Sequence, residues 1–251
     1  MVKDLLYEQK VPTSKRKYVG VEIEFLMLEK NLEKFTESII EHNLQWNVNL
    51  GNDNSVTDTK FIPKFSIRKN AYGFKEEYII NRAERFTGKE IRILAEEDEA
   101  FNIIQHVCEL IHKHKGIVNE TCGLHVHLDV RNRNWELVYN NLFRYQTLMF
   151  NMQPNERRTN RYCQKLIRVL KSPDVHRHYA INKQSYDKHR TIEVRMHEGC
   201  IDGNDICGWV YFLIQVANIQ TKLMKEVETL NTLNLPTDIK SYLNGRIARY
   251  A

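Results

Sequence analysis

The segment Gly20-Val21-Glu22-Ile23-Glu24-Phe25 alternates apolar and acidic side chains at every second position. Successive side chains of a β-strand point to opposite sides of a sheet, so this alternation predicts a strand with one apolar face and one carboxylate face. The apolar alternation extends the predicted strand to residues 17–28. We expect helices to cover the apolar face, and we expect functional chemistry on the acidic one.

Three later segments repeat the alternation and carry ionisable groups on their polar faces. They are Gly88-Lys89-Glu90-Ile91-Arg92, His125-Val126-His127-Leu128-Asp129 and Thr191-Ile192-Glu193-Val194-Arg195-Met196-His197. Strand parity predicts that Glu193, Arg195 and His197 share a face. Apolar stripes at helical spacing predict helices over residues 31–43, 97–115, 135–150, 204–230 and 237–248. Because strands and helices are mixed without strict βαβ alternation, the pattern indicates an α+β fold with a curved, mostly antiparallel sheet and helices on one face.

The composition is that of an ordinary globular protein. Hydrophobic residues make up 42% of the 251 and charged residues 27%, which excludes a disordered or collagen-like chain. No apolar run approaches the roughly 20 residues of a membrane span, and the five scattered cysteines form no Cys-x-x-Cys pair. We therefore expect a cytoplasmic protein, long enough for one large core or two small ones. We assign residues 1–251 to a single domain, with residues 56–87 as an insertion or mobile loop.

Positive charge is concentrated between residues 156 and 190, a segment that contains ten Lys or Arg and only three Asp or Glu. Such a segment attracts phosphate groups, whether of a nucleotide or of a nucleic acid. The simpler interpretation is a solvated helix face.

The polar faces have two interpretations as well. Each polar face could simply be the solvent-exposed side of a half-buried sheet. If they meet on one sheet, however, several carboxylates and two imidazoles converge, and such a cluster is tolerable only with cations among its members. Carboxylate oxygens favour Mg²⁺, added imidazole also admits Mn²⁺, and Arg92 and Arg195 would then bind anionic substrate groups.

Three motifs, taken in order, resemble the amidoligase family. These enzymes are carboxylate–amine ligases distantly related to glutamine synthetase and glutamate–cysteine ligase. The motifs are Gly20–Phe25, Cys122–His127 and Arg190–Arg195, and the resemblance covers about residues 18–215. It implies a sheet of the glutamine-synthetase catalytic type whose concave face holds ATP and metal ions.

The resemblance also implies roles for individual residues. The implied metal ligands are Glu22, Glu24, Glu90, His125 and Glu193. The implied ATP-binding residues are His125, Arg195, Tyr179, Asn182 and Ser55, the last in an Asp-x-Ser turn with Asp53. The implied catalytic residues are Arg195, Arg190 and His127. The chain departs from the family pattern after Glu90, where Arg92-Ile93-Leu94 replaces the usual Ser-Pro.

These observations favour an ATP-dependent ligase that joins a carboxylate to an amine through an acyl phosphate, using Mg²⁺ or Mn²⁺. Its substrates would be small molecules or peptides, with no membrane partner. The alternative is a metal-dependent hydrolase or nuclease that uses the same acidic and histidine cluster. In it, His125, His127, Asp129 and the glutamates hold two metals, and the basic segment holds nucleic acid. A nucleic-acid-binding protein without catalysis is supported by charge alone. A Glu-x-Arg pair late in the chain favours the ligase, so nucleic acid is the less expected partner.

Overall fold

The computed structural model describes residues 16–58, 65–69, 75–79, 85–169 and 177–250. Eight strands are described: β1 (Tyr18–Leu28), β2 (Val48–Asn52), β3 (Phe65–Lys69), β4 (Lys75–Ile79), β5 (Phe86–Glu96), β6 (Gly123–Asp129), β7 (Ile181–Asn182) and β8 (Thr191–Glu198). The α-helices are α1 (Glu29–Glu41), α2 (Glu97–Lys113), α3 (Trp135–Asn151), α4 (Asn155–Arg158), α5 (Gln184–His189), α6 (Gly203–Ala217) and α7 (Thr237–Tyr250). A 3₁₀ turn spans Leu230–Thr232.

Six strands form one open sheet in the order β2-β5-β1-β6-β8-β7, and every neighbouring pair is antiparallel. The central strand β1 is hydrogen-bonded on both sides. Its Glu22 lies opposite Arg92 of β5 and opposite His125 of β6. The predicted α+β class and antiparallel sheet are therefore confirmed, while the glutamine-synthetase type of sheet stays a prediction.

The apolar face of the sheet forms the core, because the alternation seen in β1 holds in its neighbours. Val21 and Ile23 are fully buried there, opposite Ile93 and Ile91 of β5. The long helices α1, α2, α3 and α6 contact the strands and bury their own apolar stripes in the same hydrophobic cluster. This packing leaves the polar face of the sheet on the side away from the core.

A β-bulge interrupts the pairing of β6 with β8. Val126 lies opposite Val194, whereas Leu124 lies opposite His197, so the two residues Arg195 and Met196 face one residue of β6. An extra residue reverses the parity of the strand beyond it. The prediction that His197 shares the polar face is consequently wrong. Its imidazole is 0% exposed and packs on Trp209, with ring centroids 5.1 Å apart.

The helix predicted over residues 204–230 ends at Ala217 instead. The segment that follows lies against α3, and the side chain of Asn141 in α3 forms hydrogen bonds with the backbone of that segment. Asn141 Nδ2 donates to the carbonyl of Thr221 at 3.1 Å, and its Oδ1 accepts from the N–H of Leu223 at 3.0 Å. A buried amide that satisfies these groups stabilises a non-helical path, which the apolar spacing of Ile219 and Leu223 could not reveal.

The β3–β4 hairpin forms a separate two-stranded antiparallel sheet. It occupies part of the segment 56–87 that was expected to be an insertion or mobile loop. Half of that segment lies outside the described residues, so this expectation and the single domain over 1–251 stay predictions. None of the helices in the described part of the chain has the length and apolar composition needed to cross a membrane.

Replacing Asn141 by Ala should lower the free energy of unfolding by about 2–3 kcal/mol, because buried backbone groups then lose their partners. Urea denaturation followed by circular dichroism measures this change. Asn244→Ala on the exposed face of α7 is the matched control and should stay within about 0.5 kcal/mol of the wild type. Equal effects of the two substitutions would contradict the role given to Asn141.

Candidate functional site

The polar face of the sheet forms the floor of a cleft of about 1470 Å³. Strands β1, β5, β6 and β8 each contribute side chains to its lining, because the antiparallel register brings their polar positions side by side. The lining includes all five predicted metal ligands, which are Glu22, Glu24, Glu90, His125 and Glu193. The geometry predicted from strand parity is thus present for these five residues.

His125 lies at the centre of this group, which we call the carboxylate–imidazole cluster. Its Nδ1 lies 3.1 Å from Glu22 Oε2 and 3.8 Å from Glu193 Oε1. Its Nε2 lies 3.6 Å from Glu24 Oε1. The second imidazole, His127, places Nε2 3.4 Å from Glu22 Oε1. Both rings therefore partner Glu22, and three carboxylates surround His125.

Burial and charge shift the acidities of the cluster in different directions. Burial raises the pKa of Glu24 and, together with the negative charge of Glu22, raises the pKa of Glu90 to about 7. Burial also acts upward on Glu22, but hydrogen bonds from His125 and His127 outweigh it and hold its pKa well below the ordinary value. Burial would lower the pKa of His125, yet the neighbouring carboxylates raise it.

Two overlapping groups of side chains offer ligand atoms to a cation. Glu22, His125 and Glu193 form the first group, and Glu24, Glu90 and His125 form the second. Within each group the ligand atoms all lie within 4.8 Å of one another. Carboxylate oxygens with one imidazole are the ligands of Mg²⁺ and Mn²⁺ sites, so the donor set fits a divalent ion.

Gly123 leaves space beside this donor set. A Cβ at this position would lie 3.2 Å from His125 Nε2 and 3.4 Å from Glu24 Oε2. Its backbone N–H donates to Glu24 Oε2 at 2.7 Å, which orients that carboxylate. The absence of a side chain at Gly123 therefore keeps the ligand atoms accessible.

The turn that carries Asp53 and Ser55 closes over β5 at one end of the cleft. A Cβ at Gly88 would lie 2.4 Å from the carbonyl oxygen of Asp53 and 2.2 Å from that of Val56, so only glycine permits this approach. Asp53 Oδ1 accepts from the N–H and the hydroxyl of Ser55, at 2.7 and 2.6 Å. Both residues line the cleft, as the Asp-x-Ser resemblance predicted.

Arginines border the cluster on two sides. Arg195 Nη1 lies 3.0 Å from Glu193 Oε1. Arg92 forms an ion pair with Glu90 and places Nε 4.0 Å from Glu22 Oε1, with 51% of its side chain exposed. The predicted basic segment contributes further cations to the lining: Arg157, Arg161, Arg177 and Lys188. The cleft thus offers positive groups around an acidic floor.

The remaining predicted site residues are divided between the cleft and its surroundings. His127 and Asn182 line the cleft, and Asn182 Nδ2 donates to Glu193 Oε2 at 2.9 Å. Arg190 and Tyr179 are absent from the lining. Arg190 is an exposed residue with left-handed backbone, and its guanidinium lies 4.8 Å from the Tyr186 ring centroid. This placement does not support the catalytic role predicted for Arg190 or the ATP-binding role predicted for Tyr179.

Sequence reasoning did not single out Arg157, which lines the cleft although it is only 7% exposed. It donates to the carbonyl of Arg195 at 2.9 Å. Its position within the basic segment was the only available signal, and nine other cations share that signal.

Metal affinity should rise with pH. A proton must leave Glu90 before its carboxylate can bind a cation, and its pKa of about 7 means that roughly 90% of Glu90 is protonated at pH 6. We expect Mn²⁺ to bind at least about tenfold more weakly at pH 6 than at pH 8. Titration calorimetry in two buffers of different ionisation enthalpy would detect the released proton. Glu120→Gln at the exposed rim is the control, and equal wild-type affinity at both pH values would refute this assignment.

The metal-free protein should respond oppositely to two substitutions. The unfolded chain loses the Glu90 proton at lower pH than the folded chain, so the wild type loses stability between about pH 4.5 and 7. Glu90→Gln should therefore raise stability at pH 8 by about 1–3 kcal/mol, with no gain near pH 4.5. Glu22→Gln should lower stability at pH 8, because the ionised form of Glu22 is the favoured one. Urea denaturation with a chelator present measures both, and shifts of the same sign would count against the cluster as described.

The family model described as "Putative amidoligase enzyme" matches residues 15–173, more than half of the chain. No curated protein matches the chain. The family match contains β1, β5 and β6, and it ends before β8. Glu193 and Arg195 of β8 are nevertheless joined to the matched part by geometry, since Glu193 Oε1 lies 3.8 Å from His125 Nδ1. The match over residues 15–173 agrees with the order of the motifs in β1 and β6, and the chain belongs to the amidoligase family.

Proposed function

We propose that this protein is an ATP-dependent carboxylate–amine ligase that forms an amide bond through an acyl phosphate. The observation that carries this proposal is the buried carboxylate–imidazole cluster with Arg195 beside it, in a member of the amidoligase family. Ligation needs both features, because cations must neutralise ATP phosphates and a fixed positive group must face the transferring phosphoryl.

The five cluster residues Glu22, Glu24, Glu90, His125 and Glu193 would hold Mg²⁺ or Mn²⁺. When bound, such cations neutralise negative charge on the phosphates. The protein's own contribution is to keep the ligands in place before the reaction. Gly123 N–H fixes Glu24, the amide of Asn182 fixes Glu193, and the two imidazoles fix Glu22. Such preorganisation avoids rearrangement of charges during the chemical step.

The first chemical step would transfer the γ-phosphoryl group to the substrate. A carboxylate oxygen attacks the γ-phosphorus, the bond to the β–γ bridging oxygen breaks, and ADP leaves with that electron pair. Arg195 would donate to the equatorial oxygens. Its Nη1 is held by Glu193 and by the carbonyl of Arg177 at 3.0 Å each, which supports this role by fixing the guanidinium beside the cluster. The cations of the basic segment at the rim, including Arg161 and Lys188, suit the remaining phosphates.

The second step would form the amide. The amine nitrogen attacks the acyl carbon, the carbon–oxygen bond to the phosphate breaks, and a proton from the nitrogen passes to the released phosphate. A water molecule in place of the amine would only hydrolyse the intermediate. The sheet floor and the turn of Asp53 and Ser55 enclose part of the site, which limits this loss.

The activated acyl group provides the test. The enzyme with Mg·ATP and a panel of carboxylates should produce ADP and phosphate, and hydroxylamine should trap the acyl group as a hydroxamate detectable by its iron complex. Arg195→Lys should reduce hydroxamate formation roughly 10²–10³-fold, because an ammonium cannot replace the planar guanidinium fork. Arg158→Lys, whose guanidinium bonds carbonyls outside the cleft, is the matched control and should retain activity.

Other products would identify other chemistry. AMP and pyrophosphate would show an adenylating enzyme and would refute the acyl-phosphate route. Metal-dependent cleavage of a phosphodiester without ATP would favour the hydrolase alternative instead. Absence of nucleotide binding with either Mg²⁺ or Mn²⁺ would refute the ligase proposal altogether.

A further inference from the structure

At the β8 bulge, one arginine side chain donates to the carbonyl groups of both bulge residues. Strand β7 has only two residues, and its pairing with β8 reaches no further than Val194. The N–H of Arg195 still finds the carbonyl of Ala180 at 2.9 Å. The carbonyls of Arg195 and Met196 instead accept from Arg157, through Nη2 at 2.9 Å and Nε at 3.4 Å. One guanidinium therefore holds both residues of the bulge.

Arg157 is buried without a carboxylate partner. It is 7% exposed, and no acid in the described ranges forms an ion pair with it. A buried charge is costly unless hydrogen bonds compensate it, and the two bulge carbonyls provide that compensation. Its neighbour Arg158 in the short helix α4 turns elsewhere and donates to the carbonyls of Phe150 and Gln153. The two adjacent arginines thus allow a matched comparison.

The bulge decides which side chains of β8 reach the cleft. With the extra residue in place, Arg195 points to the cleft and His197 points to the core. A shift of the extra residue toward Glu193 would turn Arg195 to the core, and a shift beyond His197 would turn His197 to the cleft, since side chains alternate between faces along a strand. Whatever holds the bulge therefore also holds the guanidinium that meets phosphate in the proposed reaction.

We infer that Arg157 is a positioning residue that fixes the β8 bulge through the carbonyls of Arg195 and Met196 and thereby directs Arg195 toward the nucleotide phosphates. This inference rests on the proposed function. The planar fork of arginine suits two neighbouring acceptors, whereas a lysine ammonium can hold only one of them at full strength. The charge of Arg157 also acts on Glu24, whose pKa it lowers, but its contact with Arg195 is made through the two carbonyl hydrogen bonds.

The test compares Mg²⁺ complexes of ADP and of the non-hydrolysable ATP analogue AMPPNP by titration calorimetry. Arg157→Gln should weaken binding of Mg·AMPPNP at least tenfold while changing binding of Mg·ADP less than about twofold. Arg195→Lys should do the same, and the double variant should be no weaker than Arg195→Lys alone, because both substitutions remove one interaction. Arg157→Lys should lie between Arg157→Gln and the wild type, and Arg158→Gln should leave both affinities unchanged.

Each outcome decides a separate point. Equal losses for the two nucleotides, or additive losses in the double variant, would overturn the positioning role. A crystal structure of Arg157→Gln, or of Arg157→Lys if the former does not fold, should show the Arg195 guanidinium displaced from Glu193. An undisturbed Arg195 in that structure would overturn the inference whatever the nucleotide data show. A wild type that binds neither nucleotide would refute the proposed function instead.

Discussion

The antiparallel pairing of β1 with both of its neighbours is the constraint on which the site depends. Hydrogen bonds on either side set Glu24 opposite Glu90 and set Glu22 opposite Arg92 and His125. A slip of one residue would turn every one of these side chains to the other face. The buried apolar partners, such as Val21 opposite Ile93 and Val126, make that slip costly. The hydrophobic core thus fixes the geometry of the polar cluster behind it.

That geometry leaves the metal-free protein with unfavourable electrostatics. Four glutamates lie close together on a largely desolvated floor, and burial raises the pKa of Glu24 and Glu90. His125, His127, Arg92 and Arg195 act as internal counter-ions to these carboxylates. Buried carboxylates with raised pKa values favour binding of a cation that fits between them. The same repulsion that favours cation binding lowers the stability of the metal-free protein.

At the edge of the sheet, backbone pairing between β7 and β8 is incomplete. The short β7 cannot pair the whole of β8, and side chains from outside the sheet complete the hydrogen bonding. Side chains play the same part after α6, where Asn141 bonds the backbone of a non-helical segment that would otherwise bury unpaired groups. In both places polar side chains from another element hold the backbone: Arg157 at the bulge, and Asn140 with Asn141 after α6.

The sequence by itself predicted the four strands that carry the site and their apolar faces, and strand parity with the family resemblance indicated that Glu22, Glu24, Glu90, His125 and Glu193 lie on one face. Strand parity and amphipathic spacing are local properties, and burial of one face makes them visible in the order of residues. Only the tertiary structure decided where parity fails at the β8 bulge, where α6 ends and which member of the basic segment supports Arg195. These outcomes depend on hydrogen bonds between residues far apart in the chain, such as Arg157 with Arg195 or Asn141 with Thr221. No local pattern records such partners, because the backbone groups concerned are the same in every residue.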